Sequence, residues 1–305
     1  MRALVIGYGS IGERHARLLQ DLNIDTGVVS QRAVRFPTAY SDIFKALELF
    51  EPQYIIIANK TSKHFDMLNE LTNQQWKGKL LIEKPLFHKS YNSTFREIGN
   101  DIYVGYNLRF HPILQKLKHD LEDQKIISVI AYTGQYLPSW RPARNYKLSY
   151  SSNIEEGGGV LRDLSHELDY LTWMFGPWKR LCSIGGHYSS LDINGDDTFG
   201  ITMETSQCPL IQVQINYLDR YGRRELIVVT DEHTYKADLV GGRYQCDDQI
   251  FEITVERDFT YIEQHKAILS DDRTYLCSFE EGVEVMRLIE AVEVSAQSKG
   301  WVENE

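Results

Sequence analysis

No apolar run in this chain approaches the roughly 18 residues that a membrane span needs; the longest, such as "YIIIA", are strand-sized. A membrane is therefore not an expected partner. Cysteine is scarce and scattered. Cys182, Cys208, Cys246 and Cys277 form no CxxC pair, so neither a zinc site nor a disulfide framework is indicated, and a reduced, cytoplasmic setting is expected. The opening "MRALVIG" lacks the apolar length and small-residue cleavage site of a secretory signal. Basic blocks are absent too. With a formal net charge of −10, most of the surface would repel phosphates, which argues against a nucleic-acid partner. There is no internal repeat and no low-complexity tract. One absence is local: from Gln124 to Ile154 the chain carries no Asp or Glu, although both are abundant elsewhere.

What is present suffices for two modest cores, since 42% of the 305 residues are hydrophobic. In the first third, short apolar strands ("RALVIG", "TGVVS", "YIIIA", "KLLIE", "IYVGY") alternate with helical patterns around 40–50, 62–74 and 89–98. Ile11, His15, Leu18, Leu19 and Leu22 fall on one helical face. This alternation predicts a parallel sheet covered on both faces. The pattern changes near His111-Pro112. After the amphipathic "ILQKLKHDLE", segments such as "IQVQINY" and "FEITVE" alternate with a period of two, the habit of an antiparallel sheet with one buried face. "TDEHT" and "RYQCDDQIF" read as hairpin connections. Ser278 and Glu281 have capping-box spacing ahead of a final helix, with Gly300 just past its end. The predicted fold class is α/β: an N-terminal Rossmann-type doubly wound parallel sheet over residues 1–112, then an α+β domain with a mainly antiparallel sheet over 113–305.

Gly7, Gly9 and Gly12 fit G-x-G-x-x-G right after the first strand. The first glycine allows a tight turn, the second a close approach by pyrophosphate, and the third close helix–strand packing. Ser10 and Ile11 then open a helix whose free N–H groups favour phosphate. The plainer alternative is an ordinary glycine turn. An acidic residue usually follows about 20 positions on, to grip the adenosine ribose. Here the second strand ends in Ser30, Gln31 and Arg32. A hydroxyl and a guanidinium suit a 2′-phosphate that a carboxylate would repel, so NADP(H) is expected over NAD(H). The alternative is a solvent-facing arginine with NAD still bound.

Glu83-Lys84-Pro85 ends another strand of the parallel set. Residues there stand over the carboxyl edge of the sheet, where open α/β folds bind ligands. An ammonium at Lys84 could hydrogen-bond a reacting oxygen or, tuned by burial and charge, transfer a proton; in isolation it would read as a surface lysine. Taken in order, "VIGYGSIGERHARLL", "YIIIANKTSKHF", "EKP", "VGYNLRFHP", "EEGGGVLRDLSHELDYLTWMFG" and "SFEEGVEVMRLIEAVEVSAQSKG" resemble the Gfo/Idh/MocA family of oxidoreductases over nearly the whole chain. The resemblance implies an NAD(P)-binding domain followed by a mainly antiparallel substrate domain. It also implies hydride exchange between nicotinamide and a sugar, cyclitol or related carbonyl compound. It places Lys84 near the nicotinamide and the reacting oxygen, Glu83 near the cofactor ribose, a cis bond before Pro85, and Thr61 and His64 along the cofactor. It also makes Asn107 a substrate-binding candidate.

"EEGGGVLRDLSHELDYL" supplies the other half of the expected site. Asp163, His166 and Asp169 follow at intervals of three, which on one helix would let neighbouring pairs share a face. His166 could exchange a proton near neutral pH with a carboxylate to orient it; alone, it would equally be a core histidine satisfied by a carboxylate. The commoner family pattern has Asp four before the His, where this chain has Arg162, which leaves the role of Asp163 open. Asp169 keeps its expected relation and is a substrate-binding candidate. No His or Cys cluster completes a coordination shell there, so no metal is expected. The acid-free stretch carries Arg141 and Arg144 in an aromatic-rich connection. It reads either as a lid gripping an anionic substrate or as a solvated basic loop.

The expected activity is an NADP(H)-dependent oxidoreductase acting on a hydroxyl or carbonyl of a sugar-derived small molecule. Two alternatives stand: a catalytically silent NADP(H) or sugar sensor, which would have no need of Lys84 and His166, and a reductase of a non-sugar carbonyl or imine. Relatives often associate through the open sheet face, so a homo-oligomer formed by the second sheet is an expectation. As read, that face carries Gln212, Gln214, Asn216, Glu252 and Glu256, a polar set for an obligate interface.

Overall fold

In the computed structural model, residues 1–91, 101–140, 142 and 145–304 are described. The expected helix around 89–98 lies mostly outside them. Five apolar segments become strands β1 (Arg2–Ile6), β2 (Asp25–Val29), β4 (Tyr54–Ile57), β5 (Lys79–Ile82) and β6 (Asp101–Val104), with a two-residue β3 (Ala39–Tyr40) at the edge. Helices α1 (Ser10–Asp21), α2 (Ile43–Phe50) and α3 (His64–Asn73) alternate with them. The order β6-β5-β4-β1-β2-β3 is parallel throughout. β4 is buried along its whole length and β1 and β5 are buried beyond their first residues, as strands covered on both faces must be. The direction of the strand order reverses at β1, which has β4 on one side and β2 on the other. Asp42 caps α2, its carboxylate accepting from the Lys45 N–H at 2.9 Å.

The next elements are α4 (Pro112–Asp120), β7 (Ile126–Gly134), α5 (Val160–Asp163), α6 (His166–Phe175), β8 (Trp178–Gly186), β9 (Thr198–Thr205), β10 (Ile211–Asn216), β11 (Arg223–Thr230), β12 (Thr234–Asp238), β13 (Arg243–Cys246) and β14 (Gln249–Glu252). The chain closes with α7 (Phe259–Ser270), β15 (Cys277–Ser278), α8 (Phe279–Ser298) and β16 (Val302–Glu303). The second sheet runs β14-β13-β12-β11-β7-β10-β9-β8-β16. It is antiparallel except where β7 meets β10. Ser278 and Glu281 cap α8 reciprocally, at 2.8 and 3.2 Å.

Two compact units result. One holds Met1–Asn107 and Thr260–Val283, the other Leu108–Phe259 and Glu284–Glu305. The sequence places a single boundary near residue 112; the structure returns a later segment to the first unit. β15 pairs antiparallel with β6, and the Lys79 ammonium donates to the Ile268 carbonyl at 2.6 Å.

The open sheet face of the second unit departs from the polar surface expected. Gln212 and Gln214 are exposed, but Ile130 and Ile184 are exposed beside them, on a shallow cavity of about 870 Å³ that also takes in Tyr188 and Trp301. Asn216 is buried, its side-chain carbonyl accepting from the N–H groups of Leu218 and Asp219. In "FEITVE" the strand stops at Glu252, and all of β14 is exposed.

Candidate active site

In the first unit, the predicted cofactor residues gather at the carboxyl ends of β1, β2, β4 and β5. Gly7 follows β1 with φ +97°, and a Cβ there would stand 2.6 Å from the Asn59 backbone at the end of β4. Only glycine lets these two turns meet, and they meet where the strand order reverses, the place where open α/β sheets take ligands. Gly12 leaves no room for a Cβ against the Gly7 carbonyl, which brings α1 close to β1. Gly9, the N-cap of α1, has open space where a Cβ would be and offers no side-chain cap. The first N–H groups of α1, from Ser10 and Ile11 onward, thus face an uncapped end, the electropositive terminus that suits a phosphate. Asn59 adds a buried Oδ1 with no hydrogen-bond partner among the described residues. A dinucleotide fits these features: an open glycine cradle, uncapped N–H groups and a polar atom in want of a partner.

After β2, the Ser30 hydroxyl donates to the Arg32 carbonyl at 3.0 Å and accepts the Arg32 N–H at 3.2 Å. This small turn leaves the Arg32 side chain exposed, while Gln31 bonds the Ser41 carbonyl at 2.9 Å. After β4, Thr61 starts a single 3₁₀ turn and is buried. His64 is buried behind it. Its Nδ1 faces the carbonyls of Pro85 and Leu86 at 3.2 and 3.1 Å, and its Nε2 lies 3.3 Å from the Asn59 carbonyl. Burial lowers its pKa. With one N–H, the neutral ring donates to one side only, and either way it sits between the loop after β4 and the loop after β5.

After β5, the Lys84–Pro85 bond is cis. Glu83 is buried, with Oε1 2.8 Å from His15 Nε2 and Oε2 accepting the Lys84 N–H at 3.2 Å. A Cβ on Gly105 would lie 3.1 Å from Glu83 Oε1, so the glycine of "VGYN" makes room for this carboxylate. Asn107 is buried and donates to the Thr260 hydroxyl at 2.7 Å.

In the second unit, the expected single helix through Asp163, His166 and Asp169 is two. α5 ends at Asp163, Leu164 and Ser165 break the helical run, and α6 begins at His166. Asp163 and His166 therefore do not share a face of one helix, and their three-residue spacing is not a helical register. Gly159, at φ +100°, enters α5 against the Asp196 carboxylate. Arg162, at the position of the family's Asp, pairs with Glu293. Asp163 is buried and accepts from the Tyr217 hydroxyl at 2.7 Å; burial first, then Asp163, pushes the Tyr217 pKa well up. His166 is buried in the first turn of α6. Asp169 is fully buried, and its carboxylate is held by Arg109 through Nε and a 2.7 Å bond from the terminal nitrogen. Arg109 is thus a buried partner of Asp169. Arg109 in "NLRF" was the missing half, a long cation beside an aromatic in a motif read only for its asparagine. Glu167, between two expected site residues in sequence, accepts from Thr133, Tyr170 and Arg224.

Arg141 and Arg144 lie outside the described residues. The rest of their connection is a run of short 3₁₀ turns, and its Lys147 pairs with Asp192 at 2.7 Å. Among the described residues, His233, Cys246 and Asp247 bring metal-type donor atoms within 4.8 Å of one another. Asp247 is already engaged there by His233 Nδ1 and the Thr234 N–H, at 2.8 and 2.9 Å.

Residues 1–97 match the family profile for the NAD-binding Rossmann fold of the Gfo/Idh/MocA oxidoreductases, and residues 118–303 match that for their C-terminal alpha/beta domain. An uncharacterized oxidoreductase of Synechocystis sp. is 24% identical over 230 residues, 70% of this chain. The chain spans about 60% of the length of that curated relative. Among solved structures, GenD2 from gentamicin A biosynthesis in complex with NAD superposes at TM-score 0.83, with 19% identity over 100% of this chain and 96% of that one. Levoglucosan dehydrogenase in complex with NADH gives 0.85 and 15% over 99% and 98%. The WlbA dehydrogenase from Bordetella pertussis, with NADH and UDP-GlcNAcA, gives 0.81 and 15% over 100% and 98%. These likenesses establish a shared fold.

Proposed function

Because the chain belongs to the Gfo/Idh/MocA oxidoreductase family, we propose that it is an NADP(H)-dependent dehydrogenase or reductase acting on a hydroxyl or carbonyl carbon of a sugar-derived small molecule. The observation that carries this reading is the convergence, at the carboxyl edge of one parallel sheet, of the open glycine cradle, the Ser30–Arg32 turn and the Glu83-Lys84 strand end. The bound nicotinamide would supply the hydride chemistry. The chain's own residues bind, orient and move protons. The N–H groups that follow Gly9 hold pyrophosphate. Arg32, exposed beside Ser30, meets a 2′-phosphate. Asn59 gives its buried Oδ1 to a ligand donor. Lys84 hydrogen-bonds the reacting oxygen, and His166 exchanges that oxygen's proton. Asp163, held by Tyr217, is a candidate to orient His166, and Arg109–Asp169 anchors α6.

A sugar-type substrate is supported by the neighbouring structures of a levoglucosan dehydrogenase and of a dehydrogenase holding UDP-GlcNAcA. An anionic sugar is favoured if Arg141 and Arg144 grip it. Those neighbours were solved with NADH, so the preference for NADP(H) rests on Ser30 and Arg32 alone. The test is steady-state turnover with NADPH and NADH against neutral sugars, sugar acids and nucleotide-linked sugars. Turnover with one of these, faster with the phosphorylated cofactor and lost in Lys84→Met, is the expected result. Cofactor binding without turnover of any of them would favour the sensor reading instead.

A further inference from the structure

Neither the glycine loop nor the lysine accounts for a chain of polar groups sunk into the core of the first unit. The Tyr54 hydroxyl, at the start of β4, lies 2.9 Å from His265 Nδ1 on α7. His265 Nε2 lies 2.9 Å from His15 Nδ1 on α1. His15 Nε2 lies 2.8 Å from Glu83 Oε1 just past β5. Tyr54, His15 and His265 show no exposed surface, and Glu83 almost none. All four belong to the same unit.

The proton order in such a chain is not arbitrary. An ionised carboxylate can only accept, so His15 must donate through Nε2. A neutral His15 then has only Nδ1 left to accept, so His265 must donate through Nε2. By the same step His265 Nδ1 accepts, and Tyr54 donates. One charge at Glu83 sets every proton along the line, and each hydrogen bond then has one donor and one acceptor. Burial supports an uncharged His265 and a protonated Tyr54: it pushes the His265 pKa well down and the Tyr54 pKa well up, with Glu83 adding to the rise at Tyr54. Gly105 backs the carboxylate on one side. A buried polar network that is fully satisfied fixes one arrangement, whereas apolar packing would tolerate several.

The line also connects two parts of the cofactor site. His15 sits on the helix that opens at the glycine loop, and Glu83 is the residue before Lys84. We propose that Tyr54, His265 and His15 are positioning residues, a one-way hydrogen-bond chain that orients the Glu83 carboxylate and fixes the Lys84 segment against the glycine-loop helix. Its effect on turnover rests on the function proposed above; its geometry does not.

The test has two arms on the full chain. Nitrogen-15 histidine NMR at neutral pH should show His15 and His265 both protonated at Nε2 and bare at Nδ1. The opposite tautomer at either overturns the chain. In the second arm, His265→Leu should lower NADPH affinity or kcat by about 10-fold or more; because it leaves the buried Tyr54 hydroxyl and His15 Nδ1 without their partner, the melting temperature should fall as well. His265→Gln, whose amide can still donate to His15, should restore most of the loss. A folded Leu variant with unchanged affinity and kcat overturns the proposal. Should the Leu variant not fold, Tyr54→Phe keeps the shape and removes only the terminal donor. It should weaken NADPH binding less and change the His265 nitrogen signals; unchanged signals overturn the proposal. NADPH affinity and tautomers are read without a substrate. A protein that binds NADPH and reduces nothing would therefore sink the proposed activity and leave this inference to be decided on its own.

Discussion

Asp196 stands at the start of α5, its carboxylate accepting the Leu161 N–H at 3.3 Å with Gly159 packed against it. Burial pushes its pKa from 3.8 up to about 7, against the pull of the Leu161 N–H and Arg162, and Glu293 adds to the rise. A carboxyl with a raised native pKa keeps its proton in the folded state while the unfolded chain loses it. Below about pH 4 both states are protonated and the group contributes nothing. From there to about pH 7 each unit costs the native state about 1.36 kcal/mol, a total near 4 kcal/mol over the roughly three units separating the two values. Above pH 7 the cost is constant. Asp196→Asn keeps an acceptor for Leu161 and cannot ionise, so it should remove this loss. Urea denaturation of both proteins at pH 4, 5, 6, 7 and 8 would measure it. The variant should gain on the parent progressively as pH rises, by about 4 kcal/mol across the range. A difference that stays flat with pH would mean that Asp196 is ionised throughout in the folded protein, and the reasoning would fail.

Arg109→Met should destabilise the protein by about 3–5 kcal/mol by stranding the buried Asp169 charge; adding Asp169→Leu should recover most of that, as read from denaturation midpoints. Arg32→Ala should weaken NADPH by about 1.5–3 kcal/mol, the worth of a charge-assisted hydrogen bond, and leave NADH alone; fluorescence titration of both cofactors checks it. Lys84→Met should cut turnover by about 10²-fold or more with cofactor affinity intact. His166→Asn should cut it similarly and alter the pH–rate profile. A full-rate Lys84→Met enzyme would remove that residue from the chemistry.

The parallel sheet was legible because strands buried on both faces must be continuously apolar, and "ALVI" and "YIII" are. The glycine cradle was legible because backbone that must turn sharply and meet other backbone leaves glycine as its trace. What escaped was contact at long range. "FTYIEQHKAILS" reads as any helix, and nothing in its periodicity points to Tyr54, 211 positions earlier. His15 could be placed on a buried helical face, but its partners could not. The break at Leu164–Ser165 carries neither glycine nor proline, so three-residue spacing passed for a helical register. On the open sheet face, the alternation in β10 predicted its own glutamines. It could not predict Ile130 and Ile184, which come from other strands of that sheet.

The return of Thr260–Val283 to the first unit bears on how the chain is made. On the ribosome the cofactor-binding sheet emerges first, and domains generally fold in order of synthesis. This one cannot finish until α7 and β15 have followed strands β7 to β14 out. Until then Tyr54 and His15 lack His265, and the outer edge of β6 has no neighbour. An open strand edge is a template for pairing with another chain. A fragment that stops near residue 112 would hold the glycine loop and the lysine yet carry that interrupted state permanently. It should be prone to aggregation, and recovery of a soluble form should require supplying the missing segment in trans.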